Sequence, residues 1–72
     1  MELTTYHNLL LEDTEESHVW ITAEINWIDP ETPGVVTVTD EDGEELAFFD
    51  WKDNDQSREA QAVYDAYDSG EL

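Results

Sequence analysis

Residues 18–28 alternate with period two, placing Val19, Ile21, Ala23, Ile25 and Trp27 on one side and His18, Trp20, Thr22, Glu24 and Asn26 on the other. That is the pattern of a strand with one buried face. The segment Asp29-Pro30-Glu31-Thr32-Pro33-Gly34 ends it, because two prolines cannot donate to a ladder and Gly34 tolerates a turn. A second run, residues 35–39, is β-branched throughout and meets a third, residues 45–51, through Asp40-Glu41-Asp42-Gly43-Glu44. Asp-Gly supplies the positive φ of a tight hairpin. A three-residue loop, Glu41-Asp42-Gly43, is preferred over a two-residue one, because it sets Val36 and Val38 beside Leu46 and Phe48 on one face and turns Thr37 and Thr39 outward. Residues 6–11 read as a further strand reached through the acidic turn at 12–17, although so short an apolar run is also compatible with the start of a helix.

The period then changes. Ala60, Val63, Tyr64 and Tyr67 fall at i, i+3, i+4 and i+7, the stripe of an amphipathic helix. Asp53, Asn54 and Asp55 are its candidate N-caps, Asp53 and Gln56 have the spacing of a capping box, and Gly70 is its natural stop. The predicted helix runs from residue 54 or 55 to 68. The predicted fold class is α+β: a three- or four-stranded antiparallel meander with one C-terminal helix packed on a face, all within a single domain spanning residues 1–72.

Charge changes the picture most. Twenty acidic residues against two basic ones, Lys52 and Arg58, give a net charge of −18 over 72 residues. Duplex DNA carries one charge per ~1.7 Å of axis, so this charge matches roughly 30 Å of double helix, about the breadth expected of so small a fold. Acidity of this degree is also a mark of disorder. Three Trp, three Tyr and two Phe, with acids interleaved among alternating apolar positions, point instead to an ordered core. There is no cysteine, hence no disulfide and no thiolate-held zinc. The first residues show no basic stretch followed by an apolar run, and no apolar run approaches a membrane span. An anionic surface disfavours direct contact with nucleic acid or an anionic leaflet. The expectation is a cytoplasmic protein, monomeric or homodimeric.

Specific chemistry is mostly excluded. Aligning Gly43 at the sixth position of a calcium loop puts Val38 first and Phe49 twelfth, which fails the template. Asp53-Asn54-Asp55 has Arg58 where the glycine belongs, so no metal site and no cofactor are predicted. Carboxylate pairs are unavoidable at this density and say nothing of acid/base catalysis. Ser17 and His18 point to opposite sides of a strand, and no glycine-rich phosphate loop exists. The chain does not read as an enzyme. Trp27, Phe48, Val63, Tyr64 and Tyr67 are candidate core; Trp20, on the polar side of its strand, is either covered by the helix or exposed as an interface anchor, and Phe49 and Trp51 share that ambiguity.

For solubility alone a net charge of magnitude ~2–8 suffices in a small domain. Acids facing one another across the hairpin destabilise it, and such a local conflict is expected where function overrides stability. The candidate partner-binding residues are therefore Glu12, Asp13, Glu15 and Glu16 in the first turn and Asp40, Glu41, Asp42, Glu44 and Glu45 around the hairpin. Asp53 and Asp55 are set aside because helix capping accounts for them. Trp20 with Glu24, and Asp65 with Asp68, are the alternative surfaces.

In size, charge, absence of cysteine and sheet-plus-helix pattern, the chain resembles the small, very acidic phage-encoded inhibitors of host nucleic-acid enzymes: anti-CRISPR proteins, anti-restriction proteins and uracil-DNA glycosylase inhibitors. The resemblance is of class, since no motif aligns residue by residue. It implies a DNA-mimicking inhibitor that blocks the basic groove of a host defence complex, an anti-CRISPR acting on a CRISPR surveillance complex in the cytoplasm of an infected cell. Two alternatives compete with it. One is a halophile-adapted domain, for which molar salt shortens the Debye length to about 3 Å and removes most self-repulsion. The other is an acidic adaptor or antitoxin-like module that binds a basic protein without imitating DNA.

Overall fold

The alternating apolar positions become four antiparallel strands in sequence order: β1 (Leu3–Asp13), β2 (His18–Asp29), β3 (Thr32–Thr39) and β4 (Glu45–Asp50). A single 3-10 turn, Trp51–Asp53, leads to the helix α1 (Arg58–Asp68), which packs against the sheet. The computed structural model describes residues 3–13 and 18–72. The fold is thus an α+β four-stranded meander with one C-terminal helix. Residues 6–11 are strand, in the middle of β1.

One face of the sheet carries the core. Leu9 lies opposite Ile21, Ile25 opposite Val36, Ala23 opposite Val38 and Val36 opposite Phe49, and all seven side chains are buried. The helix supplies Ala60, Val63 and Ala66 to the same cluster. Two of these three are alanines, so the helix backbone can sit close to the strands, and the large side chains it lacks are provided by a ring cluster at its flank. Tyr64 stacks edge-on to Trp51 at 4.6 Å and lies 5.7 Å from Phe49, while Tyr67 lies 5.1 Å from Trp51. The Tyr64 hydroxyl donates to the Trp51 carbonyl and accepts the Asp55 amide, which fixes the connection between β4 and α1.

Three expectations are corrected by this geometry. In the β3–β4 hairpin the loop itself is the expected three-residue one, with the Asp40 amide bonding the Glu44 carbonyl, Gly43 at φ 88° and Thr39 paired with Glu45, but the register beyond it is not the expected one. One residue later the register shifts, so that Val38 faces Ala47, Thr37 faces Phe48 and Val36 faces Phe49. A one-residue slip exchanges the faces of everything beyond it. Phe49 is core and Phe48, with Leu46, is exposed; Thr37 and Thr39 lie on the face opposite Val36 and Val38, as the pattern predicts.

The helix begins at Arg58, not at 54 or 55. Ser57 is its N-cap, its hydroxyl accepting the Ala60 amide, because Asn54 adopts φ 51° and terminates the preceding 3-10 turn, and the Asp55 carboxylate is taken up by the Ser57 amide. The stop at Gly70 holds: at φ 83° its amide bonds Tyr67 and the Glu71 amide reaches back to Ala66, the paired bonds of a Schellman end. Tyr67 is more than one-third exposed, and its hydroxyl donates to the Glu31 carbonyl, tying the helix to the β2–β3 turn.

That turn is shorter than the proline spacing suggests. β2 runs to Asp29, whose carboxylate accepts the Glu31 amide, and β3 resumes at Thr32. Pro33 pairs with Trp27 between two irregularities of the ladder and beyond the stretch paired with β4, so its missing N–H is tolerated.

Candidate protein-binding surface

Among the nine acids singled out in the sequence, Asp40 has a structural task. Its Oδ1 accepts the amides of Asp42 at 2.8 Å and Glu44 at 2.9 Å, closing the β3–β4 loop. Glu41, Asp42, Glu44 and Glu45 are exposed around it. Their carboxylates are held out by a loop whose shape depends on Asp40 and Gly43 and not on them.

The meander brings the end of β1 at Asp13 and the start of β2 at His18 to this same end of the sheet, since successive strands of a meander run antiparallel. Glu12 pairs through its backbone with Val19, and Asp13 with His18. Glu15 and Glu16 lie outside the described residues. The two acidic groups are not level with each other. Thr22 is the residue of β2 that faces both Asn8 and Thr39, and from Asn8 to Asp13 the long hairpin runs on for about 17 Å at ~3.4 Å per residue. The molecule is accordingly elongated, 41 × 24 × 19 Å. Along its 41 Å axis a net charge of −18 amounts to roughly one charge per 2.3 Å, about three-quarters of the density of duplex DNA.

Glu41 links loop and hairpin. With Asn8, Trp20, Ile21 and Thr22 it lines a shallow depression at the flank of the long hairpin. Trp20 is half exposed there, on the sheet face opposite the buried Ile21. Trp20 is on the sheet face away from the core, not buried under α1, and its half-exposed ring also borders the cleft between β1 and α1.

Sequence reasoning missed the rest of that face. One cross-strand row runs Tyr6, Glu24, Thr37, Phe48 through all four strands, and the next runs Asn8, Thr22, Thr39. Tyr6 is 66% and Phe48 64% exposed, values that set them apart from every aromatic on the core side. The signal for Phe48 was hidden by the shift between Val38 and Thr39; Tyr6, three residues before Leu9 in β1, was visible as lying on the opposite face from it in a strand of alternating faces. Thr4 donates to Asn26 at 2.7 Å and Thr22 to Asn8 at 3.1 Å. Tyr6 hydrogen-bonds to Glu24, and that bond, together with the Glu24 charge, pushes the phenol above its ordinary value.

Two further carboxylates are held below their usual range by turn hydrogen bonds. The Glu31 amide and Thr32 hydroxyl do this to Asp29, and the Ser57 amide and hydroxyl to Asp55. Both are explained by local structure. Among the described residues no group of three or more His, Asp or Glu could hold a metal ion, and no helix is long and apolar enough to cross a membrane. A cleft between β1 and α1, lined by Leu9, Leu11 and the edge of Trp20 with Arg58, Gln61 and Asp65, mixes apolar and polar side chains without a convergent set of donors. Comparison with protein-family models, with curated proteins and with solved structures finds no match.

Proposed function

We propose that the protein is a nucleic-acid mimic that inhibits a host defence complex by occupying its basic groove, a CRISPR surveillance complex being the target class the resemblance implies. The observation that supports this best is that the exposed acidic β3–β4 loop and the acidic end of β1, Glu12 and Asp13, belong to the same end of an elongated sheet, in a chain of net charge −18. Lys and Arg side chains that ordinarily meet phosphates would meet Glu41, Asp42, Glu44 and Glu45 on the loop and the acids of the β1–β2 connection. The inhibitor would act by binding alone, with no cofactor and no bond made or broken. Long-range attraction would make the association fast and steeply salt-dependent. In a competition assay, duplex or single-stranded DNA should displace the protein from its target, with affinity falling by more than tenfold between about 0.05 and 0.2 M salt, as expected when several cationic contacts are exchanged together. Undiminished binding to a target already filled with DNA would overturn the proposal.

Adaptation to molar salt is the second reading, and a specific observation favours it. Acids also stand at the opposite end, at Asp29 and Glu31, on the sheet face at Glu24, around the 3-10 turn at Asp50 and Asp53, and on the helix at Asp65 and Asp68. That dispersal is what a surface shaped by salt would have. Circular dichroism across a salt titration separates the two: a mimic must be folded at about 0.15 M, whereas a halophilic domain that is disordered there should fold near 2 M.

A further inference from the structure

We propose that the face of the sheet turned away from α1 is a docking surface for arginine side chains of a cationic protein, with Tyr6, Trp20 and Phe48 as stacking platforms and Glu24 and Glu41 as their anionic partners. This rests on the reading that the partner is cationic, and not on imitation of DNA.

Among the described residues, the helix and the buried apolar side chains of the strands lie on one face of the sheet, yet the other is not a plain solvated surface. It carries three aromatic side chains, each about half or more exposed, and Leu46, 41% exposed, lies beside the shifted register of β4. The rings stand apart and form no continuous apolar patch: Tyr6 and Phe48 lie on the two outer strands, about 14 Å from each other at ~4.8 Å per strand, and Trp20 faces Leu10, four residues along β1 from Tyr6, so each offers a separate platform with acids near it. The polar groups between them are engaged with one another: Thr4 with Asn26, Thr22 with Asn8, Tyr6 with Glu24. What the face still offers is ring surface and carboxylate oxygen.

Charge selects the occupant. A second copy would bring another net charge of −18 and, in a face-to-face pairing, a second Glu24 into the same interface. An uncharged apolar partner would strand Glu24 in the middle of the row, next to Tyr6 and one strand from Thr37. A carboxylate buried without a cation is costly. Arginine answers both features at once, because its planar guanidinium stacks on an aromatic ring and its edge donates to carboxylates. Adjacent strands lie ~4.8 Å apart, so one guanidinium on Tyr6 is within reach of Glu24, and a second on Trp20 is beside Glu41, which lines the same depression. Lysine, a point charge with no plane, would gain less from the rings.

The test uses the isotopically labelled protein titrated with a deca-arginine peptide and with a deca-lysine peptide at 0.15 M salt, followed by NMR. The expected result is several-fold tighter binding of the arginine peptide, with the largest shifts at the Trp20 indole and the Tyr6 and Phe48 rings. A triple variant, Tyr6→Thr, Trp20→Thr and Phe48→Thr, checked for its fold by circular dichroism, should bind both peptides alike. Threonine retains strand preference at these exposed sites, and should the triple variant unfold, Phe48→Thr alone should still lower the arginine preference. Equal affinity for the two peptides, shifts confined to the acidic loops, or unchanged arginine preference in the variants would each overturn the proposal. So would a dimer formed through this face at 0.15 M salt in sedimentation equilibrium. Loss of this preference with DNA competition at the target intact would leave mimicry standing on the loops alone. The reverse result would remove mimicry and keep the arginine surface.

Discussion

Tyr6 shows how one exposed contact can be made measurable. Its phenol donates to Glu24 and feels that carboxylate's charge, so its titration is displaced upward from the ordinary value of 10.0. A raised value in the fold means that the contact's stability is fully present below about pH 10 and is lost as pH rises through the shifted value. Tyrosinate absorbance should therefore contain a Tyr6 component displaced to higher pH; Tyr6→Phe should delete that component, and Glu24→Gln should return it toward the ordinary value. Gly34 makes a different demand. A Cβ there would stand 2.7 Å from the Asn26 carbonyl oxygen and 3.0 Å from Ile28 Cγ1, where β2 and β3 approach across the shifted ladder. Backbone cannot move aside as a flexible side chain can, so Gly34→Ala should destabilise the fold by about 1–3 kcal/mol in urea unfolding, while an alanine at Gly70 should act only through its positive φ.

Elements were legible where one physical signal was unopposed. β2 could be read because its buried and exposed positions alternate without interruption from Val19 to Asn26, and β1 follows from it by pairing. The helix stripe was legible through Ala60 and Val63, but Ala66 went unread because its burial depends on how closely α1 approaches the sheet. Its start was hidden by abundance: Asp53, Asn54, Asp55 and Ser57 all have cap chemistry, and the choice among them is made by Asn54 entering the left-handed region. Ser57→Ala should accordingly cost about 1 kcal/mol of stability, and Asp53→Ala much less, in parallel thermal melts. The same competition explains the misplaced Phe48. The loop that closes the hairpin is written in Asp40 and Gly43, whereas the shift between Val38 and Thr39 accompanies the fit of Phe49 against Tyr64 and Val36, a tertiary contact with no local spelling. The candidate site was legible only in part for that reason: its acids and Trp20 stand out in the sequence, but the row that joins Tyr6 to Phe48 exists only in the shifted register.

At the scale of the whole molecule, charge sets the conflict between stability and binding. The chain has a core of short side chains, a one-sided sheet and no disulfide, yet it carries a net charge of −18. Self-repulsion of that size opposes folding at low ionic strength and is screened as salt rises. It also discourages the outer strands β1 and β4 from pairing with another copy, a hazard of any open sheet. Glu41 and Glu44 allow the two effects to be separated, because both are exposed and Glu44 contributes only backbone groups to the loop that Asp40 closes. Replacing both by lysine changes the net charge from −18 to −14, each reversal adding two. Stability in urea should rise by a few tenths of a kcal/mol or more per relieved pair at low salt, and the gain should vanish near 1 M, where the Debye length is about 3 Å. Binding to a cationic target should weaken in the same variant. A double variant that is both more stable and equally well bound would show the loop to be no more than a solvated turn, would count against the pairing of Trp20 with Glu41, and would move the contact to Tyr6, Glu24 and Phe48 or to the helix acids Asp65 and Asp68. Opposite signs in the two measurements would mean that this end of the sheet keeps its carboxylates for a partner, at the expense of the fold that displays them.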